Sequence, residues 1–370
     1  MTPKERILAA LQKREPDRVP VGEAYVDYPI VEHVIGRETF YRSHARETFA
    51  LWEGRRDELV DGQKRDLVEF VHRVGLDIVP VNLLPPRNQA VDVPRRIGVD
   101  TWESRSGDVL RCVPETGDLV VLHQGTLPVE PVEQPTPDGS EWELWDYVVE
   151  QLGDTHFLFA PGGISLGIRL GPDINSRSAT FEDWMMRLMA EPEKIAEEQV
   201  RAVQGYRHAA AELAARGADG LKISPDFGYG RATYCSPELF RLAFVPAMIA
   251  ACDEIHAAGL KVVFHCDSNM SEVTDALVEA QVDIYHSIDP HEPIERYKRE
   301  IGDRVTLWGG INCHDLCAAT PDQIRERARA VIRDCGPGGG FVLGTSHNLL
   351  PGTRYENLMA MLDVATGVSG

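Results

Sequence analysis

The sequence predicts an α/β protein, a single (β/α)8 TIM barrel carrying a small β-hairpin excursion. Three observations predict it. Short apolar runs alternate with amphipathic helical stretches, the count of those runs reaches eight, and no Gly-x-Gly-x-x-Gly turn comes after the first of them. Strands that are apolar throughout belong to a parallel sheet covered by helices, and eight strand-helix units without a dinucleotide turn favour a closed ring over an open sheet. At 370 residues the chain is long enough to be one barrel domain, 1–370, with the hairpin insertion at about 95–131.

Each element has its own local signal. Thr2 and Glu5 form a capping box around Pro3, and Ile7, Leu8 and Leu11 recur at helical spacing, so the chain opens on a helix. After the breaker Glu15-Pro16-Asp17, the segment Arg18 to Gly22 reads as the first strand and delivers Glu23 and Tyr25 to its end. A helix-favouring stretch from Tyr41 to Val74 leads to the second strand, Asp77 to Val81. Gly107-Asp108 and Gly117-Asp118 then separate β-branched runs, the signature of hairpins lying outside the ring. A helix over Trp142 to Leu152 precedes the third strand, His156 to Ala160.

From there the alternation is regular. Helices at Pro192 to Arg216, Pro237 to Ala258 and Met270 to Ala280 precede strands at Gly220 to Ile223, Leu260 to Phe264 and Val282 to Tyr285. A short helix at Ile294 to Glu300 and a helix at Pro321 to Asp334 precede strands at Val305 to Trp308 and Gly340 to Leu343, and a last helix runs from about Arg354 to Val364. The run Gly336-Pro337-Gly338-Gly339-Gly340 precedes the final strand and reads as a helix-to-strand turn rather than a phosphate loop.

Composition excludes several classes. A formal net charge of −20 opposes phosphate backbones and anionic headgroups, so neither nucleic acid nor membrane is an expected partner. The N-terminus lacks the apolar core of a secretory signal, and the longest apolar stretch, Leu242 to Cys252, is short and broken by Pro246, which points to a cytoplasmic protein. Seven cysteines without paired spacing read as reduced thiols; Cys313 and Cys317 look like half of a metal knuckle, but the sequence has no second pair beyond them.

Barrel chemistry sits at the C-terminal ends of the strands. The polar and glycine residues just past those ends are Glu23, Gly162-Gly163, Asp226, His265 with Asp267, His286, Asn312 with His314, and His347-Asn348. The densest cluster is His265-Cys266-Asp267-Ser268-Asn269. His265 and Asp267 can aim at one centre while His347 arrives across the mouth, and two imidazoles with one carboxylate make an open three-ligand site for zinc or another divalent ion. A strand-end histidine is equally at home as a hydrogen-bonded structural group. Asp226, within Ser224-Pro225-Asp226-Phe227-Gly228-Tyr229-Gly230, reads either as a turn carboxylate or as a general acid–base.

At these residues the chain resembles the uroporphyrinogen decarboxylase superfamily, in particular its methyltransferase-like branch. The resemblance is carried by Thr2-Pro3-Lys4-Glu5-Arg6, Asp17-Arg18-Val19-Pro20, Ser236-Pro237-Glu238-Leu239 and His265-Cys266-Asp267-Ser268-Asn269. Trp308-Gly309-Gly310-Ile311-Asn312, Ser346-His347-Asn348, Pro351-Gly352-Thr353 and Glu356-Asn357 continue it to the end of the chain. It implies the same barrel and offers two activities. The cofactor-free decarboxylases grip their substrate's carboxylates with an arginine-rich stretch after the first strand, where this chain has Gly22-Glu23-Ala24-Tyr25-Val26-Asp27-Tyr28, acidic and without arginine. Such a mouth is a poor host for a polycarboxylate.

The methylcobalamin:coenzyme M methyltransferases of the superfamily hold zinc with a His-x-Cys pair after the fifth strand and a later cysteine near the eighth. Here the corresponding positions are His265-x-Asp267 and His347, competent ligands but without thiolates. Imidazole and carboxylate leave a harder, more Lewis-acidic ion than thiolates do, suited to polarising an oxygen. The resemblance therefore implies a metal-dependent methyltransferase that moves a methyl group from a small O-methyl donor to a corrinoid. Asp226, Tyr229 and Asn269 would orient the substrate or protonate its leaving oxygen, and the corrinoid would come on a separate protein. A cofactor-free decarboxylase and a non-catalytic ligand-binding barrel are the alternatives, and the reading leaves room for a homodimer.

Overall fold

The structure of the protein, a computed structural model, describes residues 1–161, 178–288 and 293–367, without the side chains of 178–181, 206 and 229. Seven parallel strands succeed one another around the sheet in chain order: β2 (Ile78–Pro80), β3 (Phe157–Ala160), β4 (Gly220–Ile223), β5 (Lys261–His265), β6 (Ile284–His286), β7 (Thr306–Ile311) and β8 (Phe341–Thr345). The stretch β1, residues 21–22, joins the two ends. Val21 bridges Leu343 of β8 and Gly22 bridges Ile78 of β2, both in parallel. The first strand is shorter than the sequence implies, and it still closes the expected (β/α)8 ring.

The strand faces obey the period of two. Leu221, Ile223, Val262, Phe264, Tyr285, Leu307 and Leu343 point outward into the large core shared with the helices. Ile78, Phe157, Phe159, Val263, Ile284, Trp308 and Val342 form a separate cluster inside the ring. Ile7 joins that inner cluster from the helix Pro3–Leu11, whose capping box between Thr2 and Glu5 is present. This helix plugs the N-terminal end. Beside it the fully buried Asp77 accepts from Arg18 at 2.7 and 3.0 Å, from Arg6 at 3.1 Å and from the Val21 amide at 2.8 Å, so one carboxylate ties the plug to β1.

The closing seam is tight. Trp308 Nε1 donates to the Gly22 carbonyl at 3.0 Å. A Cβ on Gly344 would stand 2.2 Å from that same oxygen and 2.6 Å from the indole nitrogen, and one on Gly22 would stand 2.1 Å from Ile78 Cγ2. Neither position has room for a side chain.

The hairpin excursion is a four-stranded antiparallel sheet built from Arg95–Arg96, Thr101–Glu103, Val109–Val113 and Asp118–His123, outside the parallel sheet. Both glycine turns take positive φ, +84° at Gly107 and +69° at Gly117, as the turn chemistry requires. Trp102 packs on Phe49 and Trp52 of the helix His44–Trp52, and the Gly117 carbonyl accepts from the Ala45 amide at 2.8 Å. The sheet thereby reaches the barrel mouth.

Helices differ from expectation in their breaks. A helix Tyr28–Ile35 precedes the stretch at 41–74, which is itself two helices, His44–Trp52 and Arg56–Val74. The span 237–258 breaks at Phe244 because Pro246 cannot continue a helix and instead opens a new one at Val245. In the glycine run, the amides of Gly338, Gly339 and Gly340 are all taken, by Glu15, Gly336 and Ala10, so it is a turn with no free donors for a phosphate. All seven cysteines are free thiols; Cys317 stands 3.7 Å from the Cys313 carbonyl within one short helix. Among the described residues no helix is long and apolar enough to cross a membrane.

If the seam needs its close approach, Gly344→Ala lowers stability by about 1–3 kcal/mol, the usual cost of overfilling a packed site. The measurement is the thermal midpoint, and an unchanged value would mean that the seam tolerates a methyl group.

Candidate metal centre

The register of the sheet assembles the site. His265, His286, Trp308 and Val342 occupy one row of directly paired positions across β5 to β8. Each lies on the inward face, one step above the apolar row that holds Val263 and Ile284. Adjacent pairing explains why His265 and His286 meet Nδ1 to Nδ1 at 2.7 Å and why the His286 ring stands 4.4 Å from Trp308.

Just past β5 the chain turns and brings Asp267 back over His265, with Oδ2 3.5 Å from His265 Nε2 and 3.3 Å from His347 Nε2. The ligand atoms of His265, Asp267 and His347 all lie within 4.8 Å of one another, and this is the one group of its kind among the described residues. Two donors bound to a common ion at about 2.1 Å in tetrahedral geometry sit about 3.4 Å apart. The two Asp267–histidine separations match that value, and the donor set is one that suits a divalent ion in its chemistry.

Neighbouring groups fix each donor. Ser287 Oγ donates to Asp267 Oδ1, leaving Oδ2 for the centre. His286 engages His265 Nδ1, leaving Nε2 for the centre, while its own Nε2 is buried without a hydrogen-bond partner. Burial presses His265 toward its neutral form, although Asp267 opposes it, and burial presses His286 further the same way. Burial also disfavours the Asp267 anion, but the hydrogen bonds to His265 and His347 outweigh it and hold the carboxyl well below the usual range. Asp267 conversely raises His347. A neutral imidazole beside a carboxylate is the state in which these groups bind metal.

His347 is positioned from β1. Glu23 is fully buried, and desolvation lifts its carboxyl to about 8 against the hydrogen bonds from Thr345. The Thr345 hydroxyl is in contact with both Glu23 Oε2 and the His347 carbonyl. One hydroxyl proton cannot serve two acceptors. A protonated Glu23 resolves this by donating to Thr345, which then donates to the His347 carbonyl.

The other expected residues lie at differing distances from this centre. Asp226 accepts from the Asp267 amide at 3.4 Å and is raised by burial and by the Asp267 charge; the adjacent Phe227 is pinned by its amide on Ser268 Oγ at 2.9 Å. Asn269 spends its carbonyl oxygen on the amide and hydroxyl of Ser271, a local turn. Tyr229 belongs to a two-residue ribbon strand, Gly228–Tyr229, and its side chain lies outside the described residues, as do Gly162 and Gly163. Asn312 caps the helix Cys313–Ala318 by accepting from the His314 amide, and His314 is exposed.

Sequence reasoning missed two cations. Lys222 is buried on the inward face of β4, paired in register with Val263, and Arg42 reaches in from the loop before the helix His44–Trp52. Both stand against the Tyr25 ring, the Lys222 ammonium at 5.0 Å and the Arg42 guanidinium at 4.2 Å from its centroid. A lysine in the second inward position of an otherwise apolar strand was the available signal for the first. Arg42 also lines a cavity of about 450 Å³ at the rim together with Asp27, Glu47 and Asp118.

The Glu23 arrangement has a pH signature. A carboxyl whose folded pKa is raised contributes stability that is whole below its unfolded pKa and is lost as pH rises through the folded value. The wild-type thermal midpoint is therefore expected to fall between about pH 5 and pH 8, and Glu23→Gln, which stays neutral, should flatten that fall. Parallel slopes in the two proteins would place the titration elsewhere.

Comparison with known proteins places these features. Residues 174–368 match the family model described as uroporphyrinogen decarboxylase (URO-D). Among curated proteins, the chain is 38% identical over 66 residues to the uroporphyrinogen decarboxylase of Thioalkalivibrio sulfidiphilus, covering 18% of each chain. It is 28% identical over 119 residues to that of Sorangium cellulosum, covering 31% of this chain and 32% of the relative. These matches span less than a third of the relatives' lengths. Among solved structures, a methyltransferase from Methanosarcina mazei shares the fold at a TM-score of 0.63 and 16% identity, with 99% of both chains covered. More than half of this chain answers to the family model, and the chain belongs to the uroporphyrinogen decarboxylase family.

Proposed function

We propose that this barrel is a metal-dependent methyltransferase that removes a methyl group from a small O-methyl donor and passes it to a corrinoid carried by a separate protein. The observation that carries the reading is the convergence of His265, Asp267 and His347, within 4.8 Å, at the C-terminal end of the barrel. Those three residues would hold a divalent ion such as zinc; the ion supplies Lewis acidity toward an ether oxygen, and the corrinoid supplies the nucleophile that accepts the methyl group.

This chain's own groups do the remainder. The methyl–oxygen bond breaks with both electrons left on oxygen, and that oxygen needs one proton. Asp226, which accepts from the Asp267 amide, would deliver it. Ser287 and His286 keep the donor atoms aimed, and Glu23 through Thr345 keeps the His347 loop in place. Tyr229 and Asn269, on the segments that follow β4 and β5, would orient the substrate.

Metal analysis of protein purified after zinc, cobalt or iron supplementation tests this, together with methyl transfer from 4-methoxybenzoate to free cob(I)alamin. His265→Ala, Asp267→Ala and His347→Ala are each expected to lose metal and turnover together. His286→Phe should weaken metal affinity by about 10–100-fold without emptying the site, and Asp226→Asn should keep the metal while turnover falls about 10²–10⁴-fold. A wild-type protein that stays metal-free under all three supplements sinks the proposal, and porphyrinogen turnover by that metal-free protein would favour a decarboxylase instead.

A further inference from the structure

Among the described residues, every lysine but one has a polar partner. Lys4 pairs with Asp219, Lys64 with Asp61, Lys194 with Glu191 and Lys261 with Asp283, while Lys13 donates to Thr306 and Lys298 to the Gly339 carbonyl. The exception is Lys222, which is only 7% exposed. Among the described residues it forms neither an ion pair nor a hydrogen bond, and its neighbour is the face of the Tyr25 ring at 5.0 Å. A buried ammonium with three idle donors is costly unless something completes it.

Its surroundings say what that something is. Lys222 points into the same chamber as the histidine row, since it pairs with Val263 two residues before His265 on the same face of β5. Asp267 and Asp226 act on it only at a distance, Asp267 is committed to the two histidines and Ser287, and Asp226 is turned to the Asp267 amide. A second cation, Arg42, stands on the same aromatic ring; one of its terminal nitrogens lies 3.5 Å from Asp27, and its Nε is buried without a partner. Burial and the like charge of Arg42 both work against the Lys222 cation. Two cations on one ring, with unused donors, make a place for an anion.

We propose that Lys222, together with Arg42 across the Tyr25 ring, anchors a carboxylate on the methyl donor, so that the substrate class is a methyl ether that also carries a carboxylate. The inference rests on the methyl-transfer reading above for the identity of the substrate but not for the anchor itself. The ammonium can serve both carboxylate oxygens, and a charge-assisted contact made inside a buried chamber is stronger than one made in water.

Calorimetric titration of the full-length protein tests the anchor, with 4-methoxybenzoate and methoxyacetate as probes against their uncharged amides. Wild type is expected to bind the acids about tenfold or more tightly than the amides, the scale of a charge-assisted hydrogen bond. Lys222→Met should abolish that preference, Lys222→Arg should keep most of it, and Arg42→Met should reduce it by about threefold. Equal binding of acids and amides by wild type, no binding of either acid, or a preference that survives in Lys222→Met overturns the proposal. Should Lys222→Met fail to fold, as judged by circular dichroism, Lys222→Arg and Arg42→Met decide the matter by the same comparison. Metal content measured on the same samples separates the two readings: an intact metal centre without acid preference removes the anchor alone, and acid preference in a metal-free protein removes the methyl-transfer mechanism alone.

Discussion

The closing of the ring at residues 21–22 is the constraint on which the rest of the structure depends. Two residues supply the whole eighth wall, bridging Leu343 on one side and Ile78 on the other. So short a strand has few ladder hydrogen bonds, and side chains make up the difference. Asp77 receives the Val21 amide from below, and the Trp308 indole, fully buried, spends its only donor on the Gly22 carbonyl from inside. The absence of side chains at Gly22 and Gly344 is what lets that indole approach. The next residue in the chain is Glu23, whose contact with Thr345 positions the His347 carbonyl. Closure of the fold and placement of one candidate ligand are thus joined along one seam.

Register does for the other ligand what the seam does for His347. Because parallel neighbours pair residue by residue, placing His265 on the inward face of β5 places His286 beside it and Trp308 beyond. The row is half polar and half apolar. Its imidazoles sit over an apolar floor, where an unpaired charge is expensive, and burial accordingly favours the neutral rings. The chamber's chemistry is set by this local environment and not by the net charge of −20, which belongs mostly to the surface.

The architecture is legible in the sequence because each buried strand reads as a continuous apolar run, and the candidate ligands are legible because strand ends are where a barrel keeps its polar groups. Other features are hidden for identifiable reasons. The first strand reads as five residues because Arg18 to Gly22 is apolar enough, whereas Arg18 in fact serves Asp77 from outside the ladder. The local roles of Asn269 and Asn312 are hidden because asparagine serves turns, caps and sites alike: the Asn269 oxygen accepts from Ser271 and the Asn312 oxygen from the His314 amide. The pairing of His265 with His286 is a matter of register, which lies across strands rather than along them. Arg42 arrives from a loop whose path no local pattern encodes, and with Lys222 it brings cations to a mouth whose first loop, Gly22 to Tyr28, is acidic and without arginine.

These cations and the donor set bear on each other through charge. Two imidazoles and one carboxylate around a divalent ion leave a net charge of about +1, where a pair of thiolates would leave none. Lys222 adds another positive charge, Arg42 lies near Asp27, and Glu23 is kept neutral by burial. Even with Asp226 ionised, the loaded chamber would retain about one positive charge in a low-dielectric space, where such an imbalance is costly. A single carboxylate on the substrate removes it. A porphyrinogen with its many carboxylates would overshoot far into the negative, so the same electrostatic balance that would admit the proposed acidic ether would turn away the substrate for which the family is named.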